Sequence, residues 1–165
     1  MENGTEIKLL DNSYCVDIIN LILPIQQIEF NVPITLDGQP DLLDIEANYH
    51  KTGGAFWGAF NNGQLVGTIA LINPGHNAGV IRKMFVHKSF RGKEHGIAQH
   101  LFDTLVEYSK TIGIKDIYLG TVDMLKAAHR FYERNGFVRV EKADIPPYFP
   151  FMMADNVYYH LHLND

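Results

Sequence analysis

Residues 90–102 spell FRGKEHGIAQHLF, a basic, glycine-containing loop. An apolar run, VIRKMFV from Val80 to Val86, precedes it, and a helical pattern, AQHLFDTLVEYSK, follows. Strand, loop and helix in that order make an anion cradle, because a helix start presents N–H groups without acceptors and the positive end of its dipole. Neither G-x-x-x-x-G-K-[ST] nor G-x-G-x-x-G is present, so the loop is not a standard nucleotide motif. A second stretch, AAHRFYERNGF, carries Tyr132, a phenol able to deliver a proton. Asp123 and Asp155 are carboxylates able to act as a base; their ordinary alternatives are a helix N-cap and a turn. His160 and His162 lie two apart on one face of a strand, but no third ligand with supporting spacing accompanies them. No metal site is expected. His129, one turn before Tyr132, is expected at the surface.

The elements that must position these residues follow from periodicity and turn chemistry. EIKLL opens as a strand, and SYCVDIINLILPIQQIEF has helical spacing through Val16, Ile19 and Leu23, then Gln27 and Phe30. Pro24 should bend or break that helix. A turn-rich segment leads to a short helical stretch near Leu42 to His50, stopped by Gly53 and Gly54. AFWGAF and QLVGTIAL flank Asn61-Asn62-Gly63, a hairpin signal. NPGHNAG reads as a loop before the Val80–Val86 strand. The next helix aligns Ile97, Leu101, Leu105 and Tyr108 and stops at Gly113. IKDIYLGT is a strand, MLKAAHRFYERNG a helix capped by Gly136, and FVRV and VYYHLHL are the last strands. The order predicts one mixed α/β sheet with helices on both faces and a right-handed parallel strand–helix–strand at its centre.

Composition limits the function. The chain has 165 residues, 46% hydrophobic and 20% charged, which suits one soluble domain spanning residues 1–165. A net charge of -5 argues against a nucleic-acid partner. No apolar run reaches the roughly 20 residues a membrane span needs, and MENGTEIKLL is not a signal peptide. The single cysteine, Cys15, permits no internal disulfide; a cytoplasmic protein is the expectation.

Together the two chemical stretches resemble the GCN5-related N-acetyltransferase (GNAT) family. KMFVHKSFRGKEHGIAQHLF is similar to its strand, Gln/Arg-x-x-Gly-x-Gly/Ala and helix; Ala128, Phe131, Tyr132, Gly136 and Phe137 match its A-x-x-F-Y-x-x-x-G-F pattern. The resemblance covers residues 55–163 as sheet and acetyl-CoA-binding core, with 1–54 as variable acceptor-side helices. It implies a mostly antiparallel sheet of about seven strands. Anchoring the loop motif on Gly96-Ile97-Ala98 puts Lys93 at the Gln/Arg position; anchoring on Arg91-Gly92-Lys93 adds Glu94 and His95 before Gly96. An Asn expected before the second motif is Leu125, leaving Lys126 as a substitute contact. The strand-borne Glu that often serves as base is absent, the positions being Gly79 and Val80.

What the resemblance implies is direct acetyl transfer from acetyl-CoA, a cosubstrate, to a primary amine of a small molecule or peptide. Met84, Phe85 and Val86 would meet the pantetheine and thioester. Arg91, Gly92, Lys93, His95, Gly96, Ile97 and Ala98 would take the pyrophosphate, with Lys126 and Ala128 alongside. Tyr132 would be the general acid, and Asp155 or Asp123 the base. Glu29, Gln39, Asp41 and Trp57 are acceptor-pocket candidates. Cys15, remote from both motifs, does not suit an acyl-cysteine route. The rival is a non-catalytic acyl-CoA sensor on the same fold; a homodimer is a further expectation of the resemblance.

Overall fold

A computed structural model describes residues 4–164. Its strands are β1 (Thr5–Leu9), β2 (Ala55–Asn61), β3 (Gln64–Gly75), β4 (Ala78–Val86), β5 (Asp116–Thr121), β6 (Val138–Val140) and β7 (Val157–His162). The helices are α1 (Cys15–Pro24), α2 (Ile97–Thr111) and α3 (Lys126–Arg134). All seven strands form one sheet in the order β1-β2-β3-β4-β5-β7-β6. Every neighbouring pair is antiparallel except β4 and β5, which α2 connects as a parallel crossover.

Turn chemistry sets the two hairpins. Asn62 and Gly63 both take positive φ, 49° and 84°, as a tight hairpin turn requires. The expected NPGHNAG loop is instead a second tight turn: β3 runs through Gly75, and His76 and Asn77 reverse the chain at φ 61° and 56°. Asparagine tolerates this region better than most residues, so strand pairing extends further than the polar sequence suggests.

One face of the sheet carries α1, whose Ile18 and Ile22 are buried with Leu42, Tyr49, Phe56 and Phe60. The buried stripe of α1 is Cys15, Ile18, Leu21 and Ile22; Val16, on the helical register read from the sequence, is exposed. The helix is apolar around most of its circumference, so tertiary packing, not spacing, chose the face. Pro24 ends α1 and the chain continues as a wide turn, with the Phe30 N–H donating to the Ile25 carbonyl at 3.1 Å.

The other face carries α2 and α3. Ile97, Leu101, Phe102 and Leu105 of α2 are buried against Ile69, Leu71 and Ile117, each contributing roughly 1.5–3 kcal/mol by burial. Gly67 lets α2 sit close: a Cβ there would lie 3.1 Å from Leu101 and 3.2 Å from Ile97. Helix α3 begins at Lys126, two residues after the start read from the sequence, and its N-cap, Leu125, gives no side-chain cap. Asp123 therefore does not cap it. His129 is buried rather than at the surface, its Nε2 2.9 Å from the Val122 carbonyl. That carbonyl also accepts from the Leu125 N–H at 3.2 Å, so the imidazole is its second partner at the strand-to-helix junction.

One departure from regular pairing shapes the site. Strands β4 and β5 pair only from Ala78–Val80 to Asp116–Tyr118, although β4 continues to Val86 and β5 to Thr121. Within β4, Arg82 faces Ala70 and Phe85 faces Thr68, so two residues oppose one. Lys83 sits in this bulge at φ 52°. A bulge bends its strand, and the two parallel strands diverge beyond it.

Candidate active site

The divergence opens a cleft of about 1500 Å³ between β4, the loop before α2, the start of α3 and the segment before β7. Ligands on open α/β sheets bind beyond strand C-termini, where this cleft lies. Met84, Phe85 and Val86 line one wall, Leu119 and Gly120 the other. Because β4 has lost β5 as a neighbour there, its edge groups face the opening.

The loop of residues 91–96 coils tightly. The N–H groups of His95 and Gly96 donate to the Gly92 carbonyl at 3.2 and 3.3 Å. Gly92 and Gly96 take φ 107° and 68°, both in the region that favours glycine. Glu94 folds back over Gly92, so that a Cβ on Gly92 would meet its carboxylate oxygens at 2.7 Å. Gly96 caps α2, and the N–H groups of Ile97, Ala98 and Gln99 point out of the first turn without intrahelical acceptors. Arg91, Gly92, Lys93, Gly96 and Ala98 all line the cleft. The His95 ring lies 5.9 Å from that of Phe90.

Glu29 is placed against this loop. Its carboxylate forms a forked pair with the Arg91 guanidinium, one contact Nη2 to Oε1 at 2.8 Å and the other Nη1 to Oε2. Arg91 Nε also donates to the Val86 carbonyl at 2.8 Å, and its guanidinium lies over Phe30. The pair thus ties the end of the first helical segment to the cradle. The Arg91 hydrogen bond holds the Glu29 carboxyl below its ordinary value. A depressed pKa means that the unfolded chain binds the extra proton first on acidification. The stabilisation is therefore present above the ordinary value of 4.5 and lost as pH falls through the folded value. Thermal melts should show wild type losing stability below about pH 4.5 more steeply than Glu29→Gln, the two curves converging in acid.

On the α1 side, Lys83 Nζ donates to Gln39 Oε1 and lies 3.8 Å from Asp41 Oδ2. Gln26 and Gln39 exchange amide hydrogen bonds at 3.1 and 2.9 Å, and the Tyr49 hydroxyl donates to Asp41 at 2.5 Å. Burial pushes the Lys83 ammonium down, while Asp41 opposes the shift. Next to it, Arg82 donates to the Pro150 carbonyl, and its Nη1 lies 3.5 Å from Asp155 Oδ2. Gln39 and Asp41 are thus gathered around the Lys83 ammonium, a buried cation outside the expected site residues. The signal was available: two consecutive cations inside the apolar run VIRKMFV cannot be buried without partners.

Asp155 packs over Gly120 of β5, where a Cβ would fall 2.4 Å from its Oδ2. Burial raises its pKa, and Arg82 pulls it part of the way back. Tyr132, 6% exposed, also lines the cleft. Its ring packs against Phe137 and Tyr159, each at 5.7 Å, and its hydroxyl hydrogen-bonds to no described residue. Burial first, then Asp155, push the phenol above its ordinary 10.0, so it stays protonated. Tyr158 and Tyr159 differ: their hydroxyls donate to the Asp155 carbonyl and to Glu133.

The remaining candidates fall elsewhere. Asp123 is exposed and accepts from Lys126 Nζ at 2.9 Å; Lys126 and Ala128 line the cleft, Asp123 does not. Trp57 is buried against Tyr108, ring centres 5.4 Å apart, and does not itself line the cleft. His160 and His162 converge on Asp116 Oδ1 at 2.8 and 3.0 Å. Among the described residues no group of three or more His, Cys, Asp or Glu is placed to hold a metal. No helix among them is long and apolar enough to cross a membrane.

Residues 19–137, from α1 through the cradle and Tyr132 to Phe137, match the model of the acetyltransferase (GNAT) family. The chain belongs to the GNAT family. Within GNAT, a Staphylococcus aureus Mu50 acetyltransferase is similar at 40% identity and TM-score 0.93, over 97% of this chain and 99% of that one. An acetyltransferase from Streptococcus agalactiae 2603 is 29% identical at TM-score 0.94, over 98% and 100% of the two chains. The N-acetylaspartate synthetase of Danio rerio is 40% identical over 106 residues, 63% of this chain and 37% of that protein. The chain thus spans well under half the length of that curated relative.

Proposed function

We propose that this GNAT protein transfers the acetyl group of acetyl-CoA directly to a primary amine of a small molecule or peptide. The observation that carries this reading is Tyr132: a buried, protonated phenol whose hydroxyl bonds to no described residue, lining the cleft between the splayed strands. The residues present fit the cosubstrate. The glycine cradle and the first turn of α2 suit a pyrophosphate. The cleft, larger than the ~300–1000 Å³ of usual ligand pockets, suits an extended ligand.

The chemistry needs a held thioester, a neutral amine and a protonated leaving thiolate. Acetyl-CoA supplies the acyl group as a thioester. Backbone groups at the free edge of β4 near Met84–Val86 hold the pantetheine arm and polarise the carbonyl. Asp155 accepts one proton from the acceptor's ammonium, leaving its nitrogen lone pair to attack. A C–N bond forms, the C–S bond breaks, the Tyr132 hydroxyl donates its proton to sulfur, and the second proton that the new amide nitrogen sheds restores the phenol. Holding both reactants in contact supplies much of the acceleration.

The test is release of free thiol from acetyl-CoA across a panel of amines and amine-bearing peptides. Acceptor-dependent release is expected. Tight acetyl-CoA binding without turnover on any acceptor would instead indicate a sensor. The pH profile of kcat adds a check on the base. Because burial raises Asp155, the rate should climb with pH through an ionisation above its ordinary 3.8. Asp155→Asn should remove that limb and lower kcat at least about tenfold.

A further inference from the structure

We propose that the acceptor is an amino acid whose free carboxylate is held by Arg82 and Lys83, with its amine beside Asp155. The inference names the acceptor of the acyltransferase reading above and rests on it. In a regular strand, consecutive side chains leave on opposite faces. The β4 bulge, with Lys83 at φ 52°, re-aims the second cation, so that both point into one cleft. Each of the two residues is only 8% exposed. Neighbouring cations repel and are costly to bury, so the pairing needs a purpose or a counter-charge.

Two carboxylates, Asp155 and Asp41, supply that counter-charge, but they leave hydrogen-bond donors of both cations unmet. A guanidinium has five N–H donors; those of Arg82 that meet described acceptors go to Asp155 and to the Pro150 carbonyl. The Lys83 ammonium has three donors; its hydrogen bond goes to the neutral Gln39 amide oxygen. Asp41 stands 3.8 Å away and already accepts from Tyr49 at 2.5 Å. Donors of both cations are therefore left for a ligand in the cleft. A carboxylate matches them, since an arginine fork binds its two oxygens in one plane. Asp155, 3.5 Å from Arg82 and packed over Gly120, is placed for the amine. In an amino acid the two groups share one carbon, so one small molecule makes both contacts.

The experiment compares acceptors at saturating acetyl-CoA by thiol release: L-alanine, L-methionine, L-aspartate and L-glutamate, the α-amide of each, and spermidine. The best acid should exceed its own amide about 100-fold in kcat/KM, with spermidine below both. Lys83→Gln and Arg82→Lys should each raise the KM for that acid at least about tenfold and cut the acid-to-amide ratio of kcat/KM by about the same factor. A scaffold role would weaken acid and amide alike. Should either variant fail to melt cooperatively, the wild-type acid-to-amide ratio decides. Amides or spermidine accepted as well as the acids would overturn the proposal while leaving the acyltransferase reading standing. If nothing on the panel is acetylated, calorimetric titration of the same acids and amides into the CoA-loaded protein decides. Acid-selective binding would sustain the carboxylate site without the enzyme, and its absence would sink it.

Discussion

Tyr132→Phe is expected to lower kcat about 1000-fold while acetyl-CoA affinity stays within about threefold. The prediction rests on what the hydroxyl does and does not touch. It hydrogen-bonds to no described residue, so its loss breaks no internal network, and the ring contacts with Phe137 and Tyr159 survive in phenylalanine. Fold and cleft shape should persist, with melting temperature nearly unchanged. What disappears is a proton. Burial and the nearby Asp155 hold the phenol above its ordinary 10.0, so at neutral pH it is fully protonated. The proton assists departure of sulfur from the tetrahedral intermediate, and without it the C–S bond breaks more slowly. Steady-state thiol release gives kcat, and coenzyme titration gives the affinity. An unchanged kcat would move the proton source to water. A matching loss of affinity would make Tyr132 a binding residue only.

Much of this site was legible because it lies in local chain chemistry. Gly96 and Ala98 before a helical pattern, and Phe131-Tyr132 before Gly136-Phe137, are contiguous signals whose physics acts within one or two turns. The hairpin at Asn61-Asn62-Gly63 is equally local. What escaped depended on distant residues. Glu29 reads as an acidic residue near an acceptor pocket, yet it grips Arg91, 62 positions away in sequence. Gln39 and Asp41 look like a turn and a helix start, and they prove to be partners of Lys83 on β4. The β4 bulge leaves no compositional trace, because Lys83 is not a residue that announces positive φ. His129 reads as a surface residue because its carbonyl partner, Val122, lies in the chain just before the helix, where periodicity gives no warning.

These non-local contacts also give the cleft its division of labour. The cradle is held to the first helical segment by Glu29–Arg91, and β4 to the segment before β7 by Arg82–Asp155. The two ties, one half-exposed and one buried, brace elements that line the cleft, so the strands can diverge without the walls separating. Charged pairs that are only partly exposed are stronger than surface pairs, and they hold geometry more than they add stability.

Gly96→Val should weaken CoA binding about 1000-fold, the equivalent of ~4 kcal/mol, and leave a folded protein. Gly96 caps the 15-residue helix α2 at φ 68°. A left-handed position costs an L-residue roughly 1–2 kcal/mol, and a β-branched one more. Against a typical stability of about 5–15 kcal/mol, that strain is survivable, so cooperative melting should remain at a lowered temperature. The ligand effect is larger because backbone N–H groups serve the cradle. Relieving the strain rotates the Gly96 peptide and re-aims the N–H groups of Ile97 and Ala98. Each charge-assisted hydrogen bond lost to a phosphate costs about 1.5–3 kcal/mol. Gly96→Asn separates the two contributions, since asparagine tolerates left-handed backbone yet still adds a side chain. Calorimetric titration of CoA into both variants reads the result. Strong loss in both means that the ligand itself approaches Gly96 closely. Loss in the valine variant alone means that glycine is needed only for its backbone shape. Retention in both would place the pyrophosphate elsewhere and overturn the cradle.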